Sequence, residues 1–170
     1  MGALGAEALI ERVRPNSTIA VSWGTTLQSM VNALDSDYLP GVHLVPMVGG
    51  MTPLSLGSTG EDLIRTMAAK MAAPFTTLLA PVIVSSRAAR DAFIQEPSVS
   101  AVLDQAAGAD IGIVGIGSKR GSSSMDLLHF AGLPDATYDN LLAEMAGDIA
   151  ARMFDINGKP IGHGWDDRII

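Results

Sequence analysis

The chain has 170 residues, of which 48% are hydrophobic and 17% charged, with 18 Gly, no Cys and a formal net charge of −7. That length fits one domain with a sizeable core, and the excess of apolar over charged residues is that of a folded chain, not a disordered one. The composition excludes disulfides and thiolate metal sites, the acidic balance excludes a nucleic-acid grip of this segment's own, and no apolar run reaches the roughly 18 residues of a membrane span.

The predicted elements alternate. Ala6, Leu9, Ile10 and Val13 fall at i, i+3, i+4 and i+7, so a helix is expected over 3–14 and stops at Pro15-Asn16-Ser17. A strand follows over Thr18–Trp23 and ends in the small, hydroxyl-bearing turn Gly24-Thr25-Thr26. Leu27, Met30, Val31 and Leu34 then mark a helix over 26–34. After the turn Asp35-Ser36-Asp37, a second strand is expected over Val42–Val48, made irregular or an edge by Pro46 and stopped by Gly49-Gly50. A Thr/Pro/Ser/Gly loop reaches Gly60, and Glu61–Ala72 reads as helix with acidic residues at its start.

The run Thr76–Val84 is predicted as a strand kinked or bulged at Pro81, and Ser85-Ser86 caps a helix over Arg87–Gln95. Pro97 opens another helix over 98–107. Asp110–Gly117, apolar on both faces, predicts a central parallel strand, followed by a polar loop over Ser118–Ser124. Tyr138–Met145 reads as a short helix. Asp148–Phe154 with Asp155–Ile161 predicts a hairpin turning near Asn157-Gly158. Strands alternating with helices define an α/β fold with a mostly parallel sheet and right-handed crossovers.

In such sheets ligands sit beyond the C-terminal strand ends, so Gly24-Thr25-Thr26, Gly49-Gly50 and Gly117-Ser118 are expected to line one crevice. Backbone N–H groups and hydroxyls at a helix N-terminus suit an anion, although Gly, Ser and Thr are also ordinary helix caps. Neither a Gly-x-Gly-x-x-Gly turn nor a phosphate-binding Gly-x-x-x-x-Gly-Lys loop is present. His43 and His129 read as hydrogen-bonded structural residues, and His163 has no partner at metal spacing. No metal site, cofactor or catalytic residue is expected. Trp23 either packs over a helix or stacks on a ligand, and Arg120 is a surface cation or a loop contact to phosphate.

The succession Val21-Ser22-Trp23-Gly24-Thr25-Thr26, Val45-Pro46-Met47-Val48-Gly49-Gly50, Ala80-Pro81-Val82-Ile83-Val84, Gly115-Ile116-Gly117-Ser118, Ala146-Gly147-Asp148-Ile149 and Phe154-Asp155-Ile156-Asn157-Gly158 resembles the sugar-binding effector domain of SorC/DeoR-type bacterial transcriptional regulators. The resemblance implies a fold like that of sugar-phosphate isomerases and CoA transferases. It further implies a phosphorylated sugar as effector, a homo-oligomeric cytoplasmic regulator, and contact with operator DNA through a separate helix-turn-helix. Carried over by position, Gly24, Thr25 and Thr26 would hold the phosphate, Gly49 and Gly50 would let backbone approach the sugar, Gly117 and Ser118 would form the opposite wall, and Asp148 would accept from sugar hydroxyls. Val48 stands where some members place a basic residue. Residues 1–170 are expected to be an effector domain without the helix-turn-helix and without the C-terminal part. The alternative is a sugar-phosphate isomerase or related enzyme on the same fold.

Overall fold

The computed structural model describes residues 1–35, 39–51, 59–119 and 123–170. Helix α1 (Gly2–Arg12) leads into β1 (Thr18–Val21), α2 (Thr25–Ala33), β2 (His43–Pro46) and α3 (Gly60–Met71). Strand β1 is central in a parallel sheet ordered β2-β1-β3, where β3 is Ile111–Ile113. Asp110, just ahead of β3, accepts from the Thr18 N–H at 2.8 Å and ties the two strand starts together, at the end of the sheet opposite the glycine turns.

Parallel pairing buries both faces of the sheet. Ile19, Leu44 and Val45 are fully covered, and Leu9, Val31, Leu63 and Met67 of α1, α2 and α3 share one cluster with Ile19 and Leu44. Helix α3 starts with a reciprocal cap: Thr59 Oγ1 accepts from the Asp62 N–H at 3.1 Å, and Asp62 Oδ2 accepts from the Thr59 N–H at 2.9 Å. Helices α4 (Arg87–Gln95) and α5 (Pro97–Ala107) form a smaller cluster around Leu78, Val99 and Val102.

Three expectations are corrected. The run over 110–117 is not one central strand: β3 is an edge of the parallel sheet, and after Val114-Gly115 the chain enters β4 (Ile116–Ser118) in a different sheet. At Gly115 a Cβ would come within 3.1 Å of Leu27 Cδ1, so a side chain there would have to push Leu27 aside. The run over 76–84 forms no continuous strand but two single bridges, Gly50 with Pro81 and Ile83 with Ile169, with a third just ahead of it between Leu44 and Phe75. Pro81 has no N–H to continue a ladder. Within 148–154 the chain makes a hairpin of its own, β5 (Gly147–Ile149) to β6 (Arg152–Phe154), turning at Ala150-Ala151 with φ of 51° and 64°.

The second sheet is antiparallel, ordered β4-β5-β6. The turn expected near Asn157-Gly158 is present beyond it: Gly158 has φ 77°, and the Asp155 N–H donates to the Lys159 carbonyl at 2.9 Å. Two helices, α6 (Ser123–Phe130) and α7 (Asp135–Glu144), cover this sheet, with Leu127, Leu128, Leu141, Met153 and Trp165 in the shared core. Trp165 is fully buried and donates from Nε1 to the Ala151 carbonyl at 2.7 Å. Among the described residues, no helix is long and apolar enough to cross a membrane.

Candidate functional site

The site begins at the end of β1. Gly24 is the N-cap of α2 with φ 132°, a conformation L side chains rarely adopt, and a Cβ there would touch nothing within 4 Å. Glycine is therefore needed for the backbone path, not for space. The first intrahelical bond runs from the Gln28 N–H to the Gly24 carbonyl at 2.9 Å. The amides of Thr25, Thr26 and Leu27 precede it, and no side chain caps them.

A polar cavity of about 190 Å³ opens in front of those amides. Gly24, Thr25 and Thr26 form one wall, Gly117 and Ser118 of β4 another, and Asp148 of β5 and Ser124 of α6 a third. Antiparallel pairing of Gly117 with Asp148 sets the last two walls side by side. That pairing depends on Gly147, because a Cβ there would lie 2.7 Å from the Gly117 carbonyl oxygen and 2.8 Å from Phe154 Cζ.

Asp148 is the charged centre of this space. It is 3% exposed, and its Oδ2 accepts from the Ser124 hydroxyl at 2.5 Å. Its Oδ1 is buried and has no hydrogen-bond partner. Burial raises its pKa above the ordinary carboxylate value, a shift opposed first by the Ser124 hydroxyl and then by the Ala151 amide, which lies near the carboxyl but outside hydrogen-bonding geometry. A buried acceptor without a donor costs free energy.

Six of the eight residues singled out from the sequence thus line one cavity: Gly24, Thr25, Thr26, Gly117, Ser118 and Asp148. Gly49 and Gly50 do not. They border a second, mainly apolar cavity with Val21, Val48, Ile64 and Leu78, and the buried Trp23 borders both spaces. The close approach at Gly49 is to protein, since a Cβ there would meet the Pro81 carbonyl oxygen at 2.4 Å. Its N–H donates to the Ile170 carbonyl, and that of Gly50 to the Ala80 carbonyl, both at 2.8 Å.

Sequence reasoning missed Ser124, which it left in a loop because the apolar spacing around it is short. Ser124 is 4% exposed on the first turn of α6. Arg120 lies outside the described residues. His43 shares a hydrogen bond with Thr76 Oγ1 at 2.6 Å, His129 contacts the Met125 carbonyl and the Tyr138 hydroxyl at 2.7 Å each, and His163 faces Glu144 at 3.1 Å. Among the described residues, no group of three or more His, Asp or Glu side chains is arranged to hold a metal ion.

Residues 1–170 match the family model Sugar-bind, a sugar-binding domain. The chain is 25% identical over 167 residues to the deoxyribonucleoside regulator of Bacillus subtilis, covering 98% of this chain and 52% of that protein. It is 28% identical over 173 residues to the sorbitol operon regulator of Klebsiella pneumoniae, covering 100% and 54%. The chain thus spans about half the length of these relatives. The crystal structure of the full-length sorbitol operon regulator SorC from Klebsiella pneumoniae superposes with a TM-score of 0.84 at 25% identity, over 99% of this chain and 54% of that one. The chain belongs to the family of sugar-binding domains found in SorC/DeoR-type transcriptional regulators.

Proposed function

We propose that this domain is the effector sensor of a transcriptional regulator and that its effector is a phosphorylated sugar. The observation that carries the reading is one polar cavity lined together by the uncapped N-terminus of α2, Ser118, Ser124 and Asp148. The helix end offers amide donors and a partial positive charge for a phosphate, and the Thr25 and Thr26 hydroxyls add donors. Asp148 accepts from a sugar hydroxyl, and the Ser124 hydroxyl orients the carboxyl. We read the fold as the type shared with sugar-phosphate isomerases and CoA transferases, with binding used here for signalling and not for catalysis.

Regulation follows if the effector prefers one arrangement of a homo-oligomer, because a ligand shifts a conformational equilibrium only by its differential affinity. Operator DNA is then held by a separate helix-turn-helix domain, since a chain with net charge −7 is unsuited to grip the phosphate backbone by itself. A thermal-shift screen of sugar phosphates tests the reading. A true effector at 100 times its dissociation constant stabilises by about 2.7 kcal/mol. The double variant Thr25→Val/Thr26→Val should lose most of that gain while its melting point without effector stays close to wild type. An undiminished gain in the variant removes the phosphate assignment.

A further inference from the structure

We infer that Trp165, buried outside the polar cavity, is a positioning residue for the hairpin wall of that cavity and acts through the carbonyl of Ala151; this rests on the sugar-phosphate reading above. The starting point is the loop of the β5–β6 hairpin. Ile149 pairs with Arg152, so Ala150 and Ala151 are its two central residues, with φ of 51° and 64°. Positive φ at both is the pattern of a type I′ turn, in which Asn and Gly are preferred. Alanine is disfavoured there because its Cβ crowds the following carbonyl oxygen, and such residues persist where their surroundings hold them in place. This turn borders the site. Ala150 lines the polar cavity together with Asp148, Ala151 is 0% exposed, and the Ala151 amide lies near the Asp148 carboxyl. Relaxing either alanine to negative φ redirects the chain just after it leaves Asp148, so the shape of this wall depends on the turn.

A bond from a distant part of the chain opposes that relaxation. The Trp165 Nε1–H donates to the Ala151 carbonyl at 2.7 Å, from an indole buried in the cluster that holds Leu128, Leu141 and Met153. The segment carrying the indole is itself fixed on both sides. It reaches Trp165 through a tight turn at His163 and Gly164, with φ of 41° and 80°, where His163 faces Glu144 of α7 at 3.1 Å. Just beyond, Arg168 donates from Nε to the Val84 carbonyl at 2.7 Å and from Nη2 to the Ala131 carbonyl at 2.9 Å. The donor therefore arrives from a held position and fixes the peptide between Ala151 and Arg152. A wall formed in advance spares the effector the ordering of it. Without the indole donor the share of molecules with the wall in place falls, and apparent affinity falls with that share.

The test is calorimetric titration of the chain with glucose 6-phosphate, fructose 6-phosphate and ribose 5-phosphate. Trp165→Phe keeps a buried ring and removes the donor, and a sugar that binds wild type should bind this variant about five- to tenfold more weakly, the factor one hydrogen bond contributes to a local equilibrium. Adding Ala151→Gly should restore most of the affinity, because glycine adopts positive φ without being held there. Lost core packing alone predicts the opposite, since Ala151→Gly removes a further buried methyl group. An affinity equal to wild type in Trp165→Phe, or a loss that Ala151→Gly does not recover, overturns the inference and leaves the sensor reading standing. In the unsubstituted chain the bound sugar should slow hydrogen exchange of the Trp165 indole N–H more than that of the α5 amides. Equal slowing overturns the inference even where Trp165→Phe fails to fold. No binding of any of the three sugars to wild type overturns the sugar-phosphate reading and this inference with it.

Discussion

Asp148 illustrates how a short side chain acquires a function from its surroundings. In the sequence it is one of two Asp residues that follow a glycine or alanine, the other being Asp110; in the fold it is sealed between β4 and α6 with one oxygen satisfied and one not. Its folded-state pKa is raised, so the native state holds the proton more tightly than the unfolded chain does. Stability therefore rises as pH falls from neutral through the raised pKa, and the gain is complete below the ordinary value of 3.8. Asp148→Asn should lack this contribution. Urea melts of both proteins across pH should show the variant relatively more stable at neutral pH and the gap closing with acid; a constant gap would remove the desolvation account.

Other residue-level features were readable only in part. Gly24 carried a turn signal that the backbone honours at φ 132°. The turn at Ala150-Ala151 carried none, because two alanines at positive φ contradict local preference and are held there by the pairing of β5 with β6 and by the Trp165 contact.

At the scale of elements, the helices with 3.6-residue spacing were legible. The apolar stripes of α1, α2 and α3 are the faces that bury Leu9, Leu27, Met30, Val31, Leu63 and Met67. Strand assignments were less secure because apolar runs do not reveal pairing partners. The run over 110–117 looks continuous yet serves two sheets, and the run over 76–84 is broken into bridges. Helix α6 was missed: Met125, Leu127 and Leu128 are buried, but the element spans eight residues and begins in a Ser-rich stretch. The hinge of the site is the β4–β5 pair. Gly147→Ala should destabilise by about 1–3 kcal/mol through overpacking against the Gly117 carbonyl and Phe154. Chemical denaturation measures the loss, and effector affinity should fall with it because Asp148 moves away from Gly117. A variant with wild-type stability would show that β5 has slack.

At the scale of the whole molecule, the polar cavity lies where two sheets meet. Its walls come from the turn after β1 and the start of α2 on the parallel side and from β4, β5 and α6 on the antiparallel side. A ligand there contacts the start of α2 and of α6, helices whose buried side chains belong to two different hydrophobic clusters. Amide hydrogen exchange with a bound effector should slow both at the start of α2 and along β4–β5. Protection confined to α2 would restrict the ligand to the helix end. Trp23 borders the cavity while Trp165 is buried away from it, so effector-induced change in tryptophan fluorescence should disappear in Trp23→Phe.

The sequence by itself determined the α/β alternation, the amphipathic helices, the glycine turn before α2 and membership of a family, because periodicity, turn chemistry and ordered motifs are local properties of the chain. Which turns share a space was decided by tertiary structure. Gly49-Gly50 looks like the other glycine turns in sequence, yet its amides are taken by Ile170 and Ala80, while Ser124, which no pattern marks, sits on the Asp148 carboxyl. Hydrogen bonds between segments far apart in the chain settle such assignments, and they depend on the register of strands that composition and spacing do not encode.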